Sequence, residues 1–140
     1  MINFENKKIL ITGASGGIGN ALVKKFTSLG GQVLGSGTKA EKLDLLKKQY
    51  PNIKVKKFDI SEHSRIEEFI ENVSLELGGL DIIVNNAGKN VDNLSLRMKD
   101  EEWKQVIDIN LTSTFLLAKY SIKKMMKNKF GRVVNITSVV

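Results

Sequence analysis

The stretch TGASGGIG, residues 12–19, joins an apolar run, KKILIT at residues 7–12, to a helical pattern of apolar residues. Its glycines Gly13, Gly17 and Gly19 allow a tight turn and the close approach of a ligand to the backbone. Free N–H groups and the dipole at the start of a helix favour an anion, such as a pyrophosphate, at this point. These residues therefore predict a buried strand, a phosphate-binding turn and a helix, in that order.

The spacing of the glycines separates this turn from two other phosphate-binding turns. It reads G-x-x-x-G-x-G, which differs from the G-x-G-x-x-G of other dinucleotide folds. It also lacks the Gly-Lys-Ser/Thr that ends a P-loop. The alternative is a glycine-rich turn without a ligand. A dinucleotide is favoured because the strand, the turn and the helix agree.

The rest of the chain repeats the alternation of apolar runs and helical patterns. Further strands are predicted at QVLGS, IKVKKFDI, LDIIVNNAG and GRVVNIT, with helices between them. Helical spacing predicts two buried stripes, one on the first helix (Ile18, Ala21, Leu22, Phe26, Leu29) and one on the third (Ile66, Phe69, Ile70, Val73, Leu77). Nearly continuous apolar strands separated by helices predict an α/β fold, a doubly wound parallel sheet covered on both faces.

The sequence also marks the ends of the helices. TKAE, from Thr38 to Glu41, predicts a capping box at the start of the second helix. Glycine pairs at residues 30–31 and 78–79 are expected to end the first and third helices. A long helix is predicted from about residue 100 to residue 128. Because no linker interrupts the pattern, residues 1–140 are expected to form one domain.

Composition narrows the class of function. The chain has 41% hydrophobic and 26% charged residues, a balance typical of globular proteins, and no apolar run approaches the ~20 residues that span a bilayer. It has no cysteine, and its one histidine, His63, is predicted to be solvated near a helix start. A cytoplasmic protein without a metal site, a membrane segment or a signal peptide is expected. The net charge of +7 is spread over several helix faces, so nucleic acid is not an expected partner, although a local basic patch for an acidic partner stays open.

Four motifs, in order, make the chain resemble the short-chain dehydrogenase/reductase family. They are TGASGGIG, NNAG at residues 85–88, Asn110 in DINLTS and Ser138 in NITS. The resemblance extends along the whole chain. Within the family it is strongest to the bacterial 3-oxoacyl-acyl-carrier-protein reductases, the ketoreductases of fatty-acid synthesis. It implies a Rossmann-like fold, truncated here after the fifth strand.

The resemblance also implies a nicotinamide cofactor, with the adenine beside the end of the third strand. The second strand ends in GSGTKA, without an acid before Glu41, and this favours NADP(H) because a carboxylate there would repel the 2′-phosphate. Thr38 and Lys39 are candidates to contact that phosphate, whereas Gly16 stands where related ketoreductases commonly have arginine. The residues expected to bind the cofactor are Gly13, Ala14, Ser15, Gly16, Gly17, Ile18, Gly19, Thr38, Asp59, Ile60, Asn86, Ala87 and Gly88.

Two catalytic residues are implied in the same way. Ser138 would hydrogen-bond the substrate carbonyl, and Asn110 would organise a proton-relay water. Asn110 falls on the apolar stripe of its helix, which predicts a buried amide with partners; an amide that only locks a helix kink is the alternative. The family's Tyr-x-x-x-Lys pair should follow Ser138. YSIKK offers Tyr120 and Lys124 at that spacing, but Tyr120 lies ~15 Å further along the helix than Asn110, so packing is the favoured role.

The chain is therefore expected to be the cofactor half of an NADPH-dependent reductase, ending inside the active site. Its substrate would be linked to acyl-carrier protein, and the full-length protein would form a homotetramer. Lys127, Lys129 and Arg132 are candidates to receive the acidic carrier, or merely complement a helix dipole. The alternatives are a catalytically inactive nucleotide-binding fragment and a short-chain reductase that acts on another ketone or alcohol.

Overall fold

A computed structural model of the chain describes residues 1–139, so Val140, the last residue of the expected domain, lies outside the described residues. Strands and helices alternate along the chain. The strands are β1 (Lys8–Ile11), β2 (Gln32–Gly37), β3 (Lys54–Lys57), β4 (Ile82–Asn85) and β5 (Arg132–Asn135). The helices are α1 (Gly17–Ser28), α2 (Ala40–Gln49), α3 (Ile66–Leu77), α4 (Asp100–Ile107) and α5 (Ser113–Lys127), with a 3-10 turn at His63–Arg65 and a π turn at Asp108–Thr112.

The strands form one parallel sheet in the order β3-β2-β1-β4-β5. The chain first builds outward from β1 to β3, and then crosses back to place β4 on the other side of β1. A crevice forms at such a change of direction, outside the carboxyl ends of the strands, and parallel sheets bind ligands there. The order confirms the predicted doubly wound sheet.

Helices cover both faces of the sheet, because successive side chains of a strand point to opposite faces. Leu10 of β1 and Ile83 of β4 are fully buried on the face covered by α3 and α5. Ile9 and Ile11 of β1 are buried on the opposite face, covered by α1 and α2. Every residue of the predicted stripe of α3 is buried, and α3 ends at Gly78, whose φ of 73° suits a glycine.

Two helix predictions were wrong in detail. In α1 the buried residues are Gly19 and Val23, whereas Ile18 is 61% exposed, so the apolar stripe is rotated from its predicted position. The capping box at Thr38 does not form. The helix begins at Ala40 with Lys39 as its N-cap, and no side chain within residues 1–139 caps it. The reason is that Lys39 still has extended backbone angles, so the helix starts one residue later.

The predicted long helix has the expected extent but not a regular backbone. It consists of α4 and α5 joined by the π turn, in which the Ser113 N–H donates to the Asp108 carbonyl five residues earlier. A π turn inserts one extra residue and often marks a functional site. No helix within the described part of the chain is long and apolar enough to cross a membrane.

The two edges of the sheet differ in chemistry. At one edge, β3 reads KVKK, and the amines of Lys54 and Lys56 bind Glu76 at the end of α3. At the other edge, β5 packs Val133 towards α5, but Val134 and Ile136 on its other face are each 39% exposed. Charged side chains on an edge discourage further strand pairing, and apolar ones favour it.

Candidate functional site

A cleft of about 930 Å³ opens in the crevice at the carboxyl edge of the sheet. Five segments surround it: the glycine-rich turn after β1, the end of β2 with the start of α2, the loop between β3 and α3, the segment after β4, and the end of α4 with the π turn. Its lining residues are Gly13, Ser15, Gly16, Gly17, Ile18, Gly19, Ser36, Gly37, Thr38, Lys39, Lys42, Phe58, Asp59, Ile60, Ser61, Asn86, Ala87, Gly88, Lys89, Gln105 and Ile109.

The glycines of the turn have distinct steric roles. Gly13 has a φ of 61°, and a Cβ placed on it would lie 2.9 Å from the Ala87 Cα. A Cβ on Gly19 would lie 2.0 Å from the Gly13 carbonyl oxygen, so the first turn of α1 packs directly on the loop. Around Gly17, in contrast, no heavy atom of the described residues lies within 4 Å of such a Cβ. The start of α1 is thus packed against the loop at Gly19 and open towards the cleft at Gly17.

Thr12 and Asn86 fasten this turn to the end of β4. The Thr12 hydroxyl oxygen accepts the backbone N–H groups of Asn86 and Ala87, each at 3.1 Å. The Asn86 amide donates to the carbonyls of Thr12 and Gly13, also at 3.1 Å. Thr12 belongs to the sequence motif, but no role was predicted for it. Its hydroxyl aligns the glycine turn with the segment after β4, so both line one cleft.

The cleft suits a negatively charged ligand. The first-turn N–H groups of a helix have no intrahelical partner, and no side chain among residues 1–139 caps α1. Lys39 and Lys42 line the side near the end of β2, and Asp59 is the only carboxylate among the lining residues in the described part of the chain. Its carboxylate accepts the backbone N–H and the hydroxyl of Ser61, at 2.9 and 2.7 Å. An uncapped helix start beside two lysines fits the phosphates of a dinucleotide.

Of the residues expected to bind a cofactor, all but Ala14 line this cleft. Ala14 is fully buried, its N–H donates to the Ser36 carbonyl at 3.0 Å, and its methyl group packs against Gly35. Its place in the motif therefore serves the packing of the turn against β2. Lys42, Phe58, Gln105 and Ile109 line the cleft without having been singled out in the sequence.

Asn110 lies in the π turn, directly behind the cleft. The expectation of a buried amide was wrong, because the residue is exposed. Its amide nevertheless has partners at both atoms: Nδ2 donates to the Lys89 carbonyl at 2.7 Å, and Oδ1 accepts the Lys89 N–H at 2.8 Å. A Cβ on Gly88 would approach Oδ1 to 3.2 Å. Asn110 therefore fixes the backbone of two lining residues, Gly88 and Lys89.

Ser138 lies three residues beyond the end of β5, on the same carboxyl edge, and is exposed. It is not among the residues that line the cleft. The neighbouring ends of β4 and β5 are joined by the Asn85 amide, which donates to Asn135 Oδ1 at 2.9 Å. The structure thus places Ser138 at the predicted edge and Asn110 against the cleft.

Tyr120 and Lys124, which have the spacing of the family's catalytic pair, have structural contacts. Tyr120 is partly buried and packs against the core under α5. The Lys124 amine donates to Glu71 of α3, and this hydrogen bond holds the pKa of Glu71 below its ordinary value. The other tyrosine, Tyr50, donates its hydroxyl to Asn20 at 3.0 Å. Neither tyrosine lines the cleft.

The parallel sheet, its glycine-rich turn and the anion-binding cleft define the class of doubly wound dinucleotide-binding proteins. Residues 7–140 match the short chain dehydrogenase family, and the chain belongs to that family of oxidoreductases.

Its similar relatives include three bacterial proteins named 3-oxoacyl-(acyl-carrier-protein) reductase FabG. The one from Escherichia coli is 41% identical over 99% of this chain, and the one from Rickettsia bellii is 43% identical over 100% of it. The one from Rickettsia felis is 44% identical, also over 100% of the chain. In each case the matched region is 57% of the relative's own length.

Within residues 1–139, no group of three or more His, Cys, Asp or Glu side chains is arranged to hold a metal ion.

Proposed function

We propose that this chain is the NAD(P)-binding domain of an NADPH-dependent 3-oxoacyl-(acyl-carrier-protein) reductase, with the rest of the active site contributed by the full-length protein. The observation that carries the proposal is the uncapped start of α1 at a cleft with three lysines and a carboxylate-free β2 end. The identity of 41–44% to relatives with that name supports the substrate class. The cofactor would supply hydride to the substrate carbonyl.

In this proposal the first-turn N–H groups of Gly17, Ile18 and Gly19 bind the pyrophosphate. Thr38 and Lys39 receive the 2′-phosphate. The Thr38 hydroxyl suits this because it does not cap α2. Asp59 and Ile60 lie beside the adenine, and the segment after β4 covers the adenosine.

Ser138 would hydrogen-bond the substrate carbonyl oxygen, and Asn110 would organise a proton-relay water. Lys89 occupies one N–H group and one lone pair of the Asn110 side chain, and the main-chain carbonyl of Asn110 is the group proposed to hold the water. Among the hydrogen bonds that side chains make to it, Thr114 Oγ1 donates at 2.9 Å, and a carbonyl oxygen can accept a second bond.

NADPH is expected to bind this chain about 10–100-fold more tightly than NADH. A charge-assisted hydrogen bond to the 2′-phosphate contributes roughly 1.5–3 kcal/mol, and about 1.4 kcal/mol corresponds to tenfold in affinity. Isothermal calorimetry of both cofactors measures the ratio. Lys39→Ala should reduce it about tenfold, and higher salt should weaken NADPH more than NADH. Lys48→Ala, on α2 but outside the cleft, is the matched control. Equal or reversed affinities of the wild-type chain contradict the preference for NADP.

A basic surface where α5 ends is the proposed docking site for the carrier protein. Phe130 lies between the Lys7 amine, 4.1 Å from its ring centroid, and the Arg132 guanidinium, at 4.9 Å. Lys129 and Arg132 border an apolar cavity of about 620 Å³. This surface adjoins the amino end of β5, whereas the cleft opens at the carboxyl edge. The substrate arm of the carrier would therefore have to pass the length of β5, roughly 13 Å for a strand of this size.

Lys129→Glu in the full-length protein is expected to raise KM for a carrier-linked substrate roughly tenfold, because a reversed charge repels an acidic partner. A small soluble ketoester should keep its KM. Steady-state kinetics with both substrates give the comparison, and Lys48→Glu on α2 controls for net charge. An equal loss with the ketoester would show that Lys129 acts on the fold, as a lysine that complements the α5 dipole would.

The outer face of α4 and α5 is the proposed contact between subunits of a homotetramer. It exposes large apolar side chains at helical spacing, each at least 62% exposed: Trp103, Leu111 and Phe115. Exposed apolar patches of this extent mark interfaces.

In the full-length protein, Phe115→Glu is therefore expected to lower the molar mass of the assembly in solution, measured by light scattering during size exclusion. Leu45→Glu on α2 is the matched control, since both side chains are 63% exposed. An unchanged mass for Phe115→Glu would exclude this face as the contact.

A further inference from the structure

A cluster of hydrogen bonds outside the cleft joins the loop after β3 to the π turn. His63 Nε2 lies 3.1 Å from the Asp108 carbonyl oxygen and 3.0 Å from Ser113 Oγ. Ser113 Oγ lies 2.6 Å from the Ile60 carbonyl oxygen and 2.8 Å from that of Asp108. Ser113 is fully buried, so these polar atoms rely on one another rather than on water.

The chemistry of the groups assigns the protons. A carbonyl oxygen only accepts, and the single hydroxyl proton of Ser113 is best placed on the nearer one, that of Ile60. His63 Nε2, which faces the Asp108 carbonyl and the Ser113 oxygen, must then carry a proton and donate it. An unprotonated Nε2 would direct its lone pair at a carbonyl oxygen. The ring is thus expected in its Nε2–H form.

These hydrogen bonds meet at the Asp108 carbonyl, the group that defines the π turn. The Asp108 carbonyl accepts the Ser113 N–H across five residues and is approached by the Ser113 hydroxyl and by His63 as well. π turns are rare, and one that persists needs support from its surroundings. The turn contains Asn110 and presents its amide to Lys89 at the cleft wall.

We propose that His63 is a positioning residue for Asn110. Through the Asp108 carbonyl and the Ser113 hydroxyl it stabilises the π turn that holds Asn110 against Gly88 and Lys89. The same cluster is bonded to Ile60 on the adenine side of the cleft. Binding of the cofactor on that side is therefore expected to strengthen the hold of Asn110 on Lys89. This last step rests on the proposed cofactor site, whereas the positioning of Asn110 does not.

His63→Leu and His63→Gln test the proposal. Leucine fills much of the same space without an N–H, and the glutamine amide nitrogen reaches about as far as Nε2. Hydrogen exchange of the Lys89 amide, which donates to Asn110, is the readout, with β4 amides as the control for global stability. We expect Lys89 to exchange about 10-fold faster in His63→Leu and at the wild-type rate in His63→Gln. Equal Lys89 exchange in the wild type and His63→Leu would overturn the proposal.

The histidine ring gives a second readout that needs no variant. His63 is the only histidine of the chain, so its ¹⁵N spectrum needs no assignment. We expect a protonated Nε2 at pH 8, and a bare Nε2 would overturn the proposal even if His63→Leu failed to fold. NADPH should slow Lys89 exchange further in the wild type and in His63→Gln only. Failure of the wild type to bind NADPH would count against the proposed function, while the ligand-free readouts still decide the role of His63.

Discussion

The 140-residue chain assayed alone is expected to bind NADPH but to show no measurable turnover of a 3-oxoacyl thioester. Reduction of a ketone needs a proton donor for the developing alkoxide beside the cofactor. The two tyrosines, Tyr50 and Tyr120, are engaged with Asn20 and with the core under α5, and neither lines the cleft. Absorbance of NADPH at 340 nm follows the reaction, and calorimetry on the same sample shows that the cofactor is bound.

The full-length protein supplies the comparison for this prediction. Tyr120→Phe in that protein is expected to leave kcat within about twofold of the wild type, since the ring keeps its packing against the core and Tyr120 does not line the cleft. Steady-state kinetics, with circular dichroism as the check on folding, give the result. A loss of several hundredfold in a folded Tyr120→Phe protein would show that the pair with Lys124 is catalytic after all.

Gly19→Ala is expected to cost about 2–3 kcal/mol of stability and to weaken NADPH by about 100-fold. The added methyl group would lie 2.0 Å from the Gly13 carbonyl, so α1 must move away from the loop. Each phosphate hydrogen bond lost from the helix start removes roughly 1.5–3 kcal/mol. Gly17→Ala is the matched control for stability, because its added methyl group would have no described heavy atom within 4 Å apart from its chain neighbours and the backbone of its own helix.

Urea denaturation and calorimetry measure the two effects separately. Gly17→Ala should unfold at the wild-type midpoint or slightly above it, as alanine has the higher helix propensity. If Gly19→Ala unfolded at the same urea midpoint as Gly17→Ala and bound NADPH as tightly as the wild type, the close packing of α1 on the loop would not be what fixes the phosphate-binding turn.

The periodicity of the sequence predicted the sheet because strands and helices here bury nearly continuous apolar runs. The stripe of α3, for example, is buried at every predicted position. The stripe of α1 was misplaced because its buried face is built on Gly19, where packing depends on the absence of a side chain. Hydrophobic periodicity does not predict such a contact.

The sequence did not predict the side-chain hydrogen bonds between residues that are far apart along the chain. The polar surroundings of His63 predicted a solvated residue, whereas the structure makes it partly buried and bonded to residues 45 and 50 positions away. Asn110 was singled out through the resemblance, but its partner Lys89 lies 21 residues away in a loop without a pattern. Only tertiary structure brings these pairs together.

Because the two edges of the sheet differ in chemistry, the addition of later strands is favoured at one edge. The first three strands to be synthesised reach the lysine-bearing edge at β3, where the amines of Lys54 and Lys56 are tied to Glu76. Each later strand is added on the opposite side, β4 beside β1 and then β5 beside β4. During translation β4 and then β5 would therefore each have one favourable edge with which to pair, so the later strands add in a defined order.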